Sequence, residues 1–171
     1  DQTGDARRAL QPLMLAHGFD AIERDGRLVF LPRVGRGAVE IDPERLAVSD
    51  ELDGDLVRIR ASEAEMAGRV RLRFVEADGD HGVAAEETVL PDESTHALAE
   101  TELLMSLTRR EGRLTVERWL AEGRVARESL RFALPPSRMD IAAGDVVSLP
   151  SKAGRVLARI DSVEIGTQQI V

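Results

Sequence analysis

The sequence predicts an α+β protein, mainly antiparallel β, with two helices and about eight to ten short strands. Three observations carry the prediction. Apolar and polar residues alternate in several short runs, the period of a half-buried strand. Gly35, Gly54, Pro135, Gly144 and similar residues punctuate the chain at strand spacing. The 3.6-residue period of an amphipathic helix recurs in only two stretches. Such a pattern fits an antiparallel sheet or a small barrel.

From about Asp5, the residues Leu10, Leu13, Met14 and His17 share one helical face, with Gly18 placed as the C′ residue. Pro12 is expected to kink or shorten this helix. Phe19 to Pro32 reads as a β-hairpin around Asp25-Gly26, a dipeptide suited to the positive φ of a tight turn. Arg33 to Gly54 is polar and rich in breakers, with a short strand near Ala38–Ile41. It marks a boundary between residues 1–50, a helix plus hairpin subdomain, and residues 51–171.

Leu56–Arg60, Val70–Val75, Ala84–Leu90 and Ala97–Leu107 read as extended. The last is ambiguous, because Ala, Leu, Glu and Met favour helix on propensity; strand is preferred for Leu103–Leu107. Thr108 and Glu111 have capping-box spacing. The helix they open, running to about 127, places Val116, Trp119, Leu120 and Gly123 on one face, and Gly123 is expected where a neighbouring backbone comes close. The stretch "SLRFALPPSRMDIAAGDVVSLP" follows. Leu130, Phe132 and Leu134 alternate as a strand, Pro135 and Pro136 stop its ladder, and Gly144-Asp145 turns the chain into a second strand that ends at Pro150. The two strands are expected side by side in one barrel. Arg155 to Ile165 supplies a final strand with Val156, Ala158 and Ile160 on one face.

The 171 residues suffice for one ordinary domain or two small ones. Formal net charge is −8, the wrong sign for a protein that grips phosphate backbones. With no cysteine there is no disulfide frame, thiolate metal site or cysteine nucleophile. No apolar run has the length of a membrane helix. Aromatic residues are 3% of the chain, too few for stacking platforms. Lys152 is the lone lysine, and the Asp1 start reads as that of a piece of something longer.

The search for chemistry returns little. His17, His81 and His96 are scattered. His17, on the apolar face of the first helix, reads as a core or boundary histidine rather than a ligand. His81, near Asp78, Asp80, Glu86 and Glu87, has oxygen donors around it, but DGDHG lacks the spacing and closing glutamate of a calcium loop, so a solvated turn is the better reading. Arg33-Val34-Gly35-Arg36-Gly37 lacks the Gly-Lys-Ser/Thr ending of a phosphate loop. No Ser/His/acid set is recognisable. No catalytic, cofactor-binding or metal-ligating residue is therefore assigned.

The most specific motif runs from the second helix onward: Arg127-Glu128, then Phe132, Leu134-Pro135-Pro136, then Gly144-Asp145-Val146-Val147. It resembles the hub domains of tail-tip proteins from gene transfer agents and long-tailed bacteriophages, with their "F-x-L-P-P" and "GDVV" strands. "ALQPLMLAHGFDAIERDGRLVFLPR" is similar to the helix and hairpin of the same proteins, and "RVRLRFVEADGD" to the strand and turn that follow. His81 stands where that family leads one to expect a tyrosine. The resemblance implies a small hub-type β-barrel over 51–171, with its helix at about 108–127. It also implies a structural role in a baseplate hub, joining tail tube to tip and forming part of a DNA-passage channel. The implied partners are further copies in a threefold ring, tail-tube and tail-tip proteins, and DNA that passes without specific binding; no cofactor is implied. The implied location is the tail tip of a virion or virion-like particle assembled in the bacterial cytoplasm. Relatives carry a hydrolase-like region upstream, so the alternative reading is a fragment of a cell-wall-degrading or receptor-binding tail protein.

Overall fold

The computed structural model describes residues 6–24, 26–62, 66–91, 97–151, 154–165 and 169–171. Asp5, Asp25, His96 and Lys152 lie outside them. The fold is α+β and mostly antiparallel β with two helices. The chain divides into two compact units, each drawn from two separate stretches: the segment ending at Gly18 with Arg60–Glu128, and Phe19–Ile59 with Ser129–Val171. The amino-terminal helix thus belongs to one unit and the hairpin after it to the other.

In the first unit, α1 (Ala6–His17) runs through Pro12 and ends at Gly18, whose φ of +67° fits the left-handed C′ position. Strands β5 (Arg69–Glu76), β6 (Val83–Val89) and β7 (Leu98–Leu107) form a sheet in the order β6-β5-β7. The hairpin partner β6 is antiparallel to β5, whereas β7 returns parallel on its other side. α2 (Arg109–Val125) opens on the expected capping box, with Thr108 and Glu111 bonded reciprocally. Val70, Leu72 and Phe74 turn inward from β5 and pack with Leu103, Leu107, Val116 and Leu120. Glycine matters at Gly112, not at Gly123. An added Cβ at Gly112 would lie 2.5 Å from the buried Phe74 ring, whereas one at Gly123 would meet nothing within 4 Å. Helical periodicity puts Gly123 on the inner face, but the sheet's largest side chain meets the helix about three turns earlier, at Gly112.

The second unit holds the hairpin β1 (Phe19–Arg24) and β2 (Arg27–Pro32), the short β3 (Ala38–Glu40), β4 (Leu56–Arg60, its last residue shared with the first unit) and the carboxy-terminal strands. These are β8 (Glu128–Leu134), β9 (Val146–Ser151), β10 (Gly154–Arg159), β11 (Glu164–Ile165) and β12 (Gln169–Ile170). They make the sheets β10-β9-β3 and β11-β12-β8-β4, so β8 and β9 lie in different sheets rather than side by side. Both sheets are open among the described residues. What the two strands share is the core: Phe132 and Leu134 from β8 cluster with Val147 and Leu149 from β9, together with Ile41, Ile141 and Ile160.

Two further expectations are corrected here. β9 runs on through Pro150 to Ser151. Its parallel partner β3 reaches only Ser148, so beyond that point one side of β9 is an edge, where a proline costs no ladder bond. The last strand stops at Arg159, and the chain ends in the two-residue strands β11 and β12, the second of which pairs with β8.

Candidate functional site

The motif from Arg127 to Val147 is a connection between two sheets, and each residue in it has a local physical reason. Arg127 lies in the turn after α2, where its Nε donates to the Ala61 carbonyl at 3.1 Å. Glu128 opens β8 and faces Arg60 at 3.6 Å. Phe132, Ala133 and Leu134 are all buried in succession, so the end of β8 is covered on both faces. Pro135 continues in extended geometry with φ −68° and ψ 157°, and Pro136–Arg138 forms one turn of 3-10 helix. A proline supplies no amide at either place, so the ladder of β8 ends there and the chain leaves for the second sheet.

Gly144 and Asp145 fix the arrival. Gly144 has φ +85°, and an added Cβ would lie 2.8 Å and 2.9 Å from methyl carbons of Ile22 and Leu31 in the hairpin. Its amide donates to the Ile160 carbonyl at 2.7 Å, and the Ile160 amide returns to Asp145 at 2.9 Å. The Asp145 carboxylate accepts from Arg24 at 2.9 Å, Arg36 at 3.1 Å and the Ala142 amide at 3.0 Å. Burial alone would raise its pKa. Hydrogen bonds from Arg24, the Ala142 amide and Arg36, with the Arg24 charge, outweigh that and hold it below the usual carboxylate range. Val146 is half-buried and Val147 fully buried in β9.

Sequence reasoning named every residue of this connection except its partners. Arg24, Arg36 and Ile22 lie more than 100 positions away, beyond the reach of any local pattern. The glycine-rich Arg33–Gly37 segment proves to be one of the clamps: Arg33 pairs with Asp20 at 3.0 Å and Arg36 with Asp145.

Beside the proline arm lies a hollow of about 350 Å³, walled by Pro43, Pro135 and Pro150 with Glu40, Asp42, Arg45 and Arg138. Two of its charges are already neutralised, Glu40 by Arg155 and Arg138 by Asp140. Ser137 is its one hydroxyl, and no histidine lines it. Elsewhere, His17 is exposed at the end of α1, and His81 is exposed in a turn at φ +55°. Glu86 and Glu87, the oxygen donors considered for His81, are engaged with Arg109 at 3.3 Å and with Arg71 at 2.7 Å. Among the described residues, no three His, Asp or Glu side chains are grouped to hold a metal ion. None of the described helices is long and apolar enough to cross a membrane.

Residues 5–163 match the model of a family described as "Putative phage tail protein". A chain in the virion of a native gene transfer agent particle is 49% identical, with a TM-score of 0.91 over 99% of this chain and 39% of that one. A tail protein from Neisseria meningitidis MC58 has a TM-score of 0.58 at 13% identity, over 99% of this chain and 54% of its own. The 43 kDa tail protein of prophage MuSo2 from Shewanella oneidensis has a TM-score of 0.56 at 10% identity, again over 99% and 54%. These two share the fold. The chain spans about two fifths of the gene transfer agent protein and about half of each tail protein. No curated protein sequence matches it. The family match covers most of the length, including the proline arm and the glycine-aspartate turn, and the chain belongs to this family of phage tail proteins.

Proposed function

We propose that the chain is a structural part of the tail tip of a phage-like particle, a baseplate hub segment that joins tail tube to tip and borders the channel through which DNA leaves. The observation that carries the reading is the 49% identity, held over 99% of the chain, to a component of a gene transfer agent virion. The physical features agree with it. The hollow beside the proline arm is lined by prolines and paired charges, whereas Gly144, Asp145 and the two prolines serve to hold sheets in fixed places. In this reading the second unit, with two open sheets over one core, is the hub-type barrel module. Copies form a threefold ring, tail-tube and tip proteins are its neighbours, and assembly takes place in the bacterial cytoplasm. A net charge of −8 suits a lumen that DNA crosses without sticking.

Titration with duplex DNA tests the channel role. The expected result is no binding at physiological salt. Tight binding that weakens steeply as salt rises would mark a DNA-gripping protein and contradict the reading.

A further inference from the structure

We infer that the free edge of β7 in one copy pairs with the free edge of β4 in a second copy, through complementary rows of leucine and charge. The inference rests on the ring reading above and names the surfaces that would make the ring. β7 ends the sheet β6-β5-β7, and β4 ends the sheet β11-β12-β8-β4. Exposed edges invite pairing with another chain unless they are guarded; the acids of β7 and the arginines of β4 guard each edge against its own kind but not against the other.

On β7, alternation places Leu98, Glu100 and Glu102 on one exposed face. A bulge then interrupts the pairing with β5: the partner of Arg73 is Glu102, but that of Val75 is Ser106. Across it the alternation keeps its faces: Leu104 is 89% exposed, while Leu103 and Leu107 are buried. On β4, the same alternation places Leu56, Arg58 and Arg60 on one exposed face. Run antiparallel, the two edges put Arg60 opposite Glu100 and Arg58 opposite Glu102, with Leu56 next to Leu104 where the bulge begins. Opposite charges directly across a strand pair are favourable, and like charges are not. Arg60 lies 3.6 Å from Glu128 and Glu100 lies 3.9 Å from Arg71, both long for ion pairs. The other basic edge, β10, is less available: Arg159 is held by Asp20 and Asp161 at 2.9 Å each, and Arg155 by Glu40. Because the two edges differ, the contact is head-to-tail, the kind that makes a ring when its rotation divides a full turn evenly.

The chain has no cysteine, so engineered thiols report the contact cleanly. Arg58→Cys and Glu102→Cys preparations, mixed at high concentration and oxidised, should give disulfide heterodimers well above an Arg58→Cys and Val34→Cys control. Arg60→Glu added to the first partner should cut that yield about tenfold, and Glu100→Arg added to the second should restore it. All these positions are exposed, and circular dichroism verifies that each variant is folded. A yield equal to the control, or one indifferent to charge reversal, overturns the contact. Particles that contain the chain in their tails but leave the engineered pair unlinked refute the contact alone. Cross-linked chains that never enter tails refute the tail reading alone.

Discussion

The two units solve the same packing problem with different reach. In the first, the sheet β6-β5-β7 and α2 come from one run, residues 69–125, and the core follows from alternation on β5 and a 3.6-residue stripe on α2. Its distinctive devices are local, a capping box three residues wide and one glycine that admits one ring. In the second, Ile41 and the residues between Phe132 and Ile160 share a core, β3 lies parallel on β9, and Asp145 is clamped by arginines from the hairpin region. The lesson is that periodicity builds one unit, while the other depends on a few long-range polar contacts whose loss would be felt at a distance.

That difference can be broken most severely at Gly144. Gly144→Ala forces a side chain into a left-handed backbone and onto Ile22 and Leu31, and should cost about 2–4 kcal/mol. Trp119 is the one tryptophan and packs on the first core, so its fluorescence reports that unit while circular dichroism reports the sheets of both. If the second unit depends on the turn as described, denaturation of Gly144→Ala followed by circular dichroism shifts further than the Trp119 signal. Coincident shifts would mean that the units unfold together.

Asp145→Asn should cost about 1.5–3 kcal/mol at neutral pH, by removing a charged partner from Arg24 and Arg36. Because the folded carboxyl titrates below its unfolded value, about 3.9, its stabilisation is complete above that pH and fades as pH falls through the folded value. Acid unfolding curves should therefore converge, with the variant trailing wild type at pH 7 and the gap closing towards pH 2. A gap that is constant with pH would show that the carboxylate charge plays no part.

The smallest effects sharpen the account of α2. Gly112→Ala should destabilise by about 1–2 kcal/mol, overpacking against Phe74 outweighing the gain in helix propensity. Gly123→Ala, in open space, should stabilise by about 0.5–1 kcal/mol. Equal signs for the two in chemical denaturation would contradict the packing described.

Most strands and both helices were legible because alternation, caps and breakers act within a few residues. Thr108 and Glu111 announce α2, and Gly26, at φ +70°, anchors the hairpin turn. The pairing of strands was not legible. Nothing in Leu130 to Leu134 distinguishes a neighbour of β9 from a neighbour of β12, and nothing in Leu98 to Leu107 says that it lies parallel to β5. The very short β11 and β12 carry too few residues for a period. At the candidate site, the prolines and the Gly144-Asp145 turn stood out for their backbone demands, but the arginines that hold Asp145 are ordinary surface residues until the fold brings them together. Gly123 stands out in the sequence and Gly112 does not, because a helical face predicts where a neighbour lies, not how large it is.

The tail-tip role is tested most directly by locating the chain in assembled particles from a producing cell, using electron cryomicroscopy with a density tag inserted at Gly79. The account predicts density at the tail tip, around the axial channel, in a ring of identical copies. Density confined to the head or to peripheral fibres, or particles that assemble and deliver DNA without the chain, would contradict it.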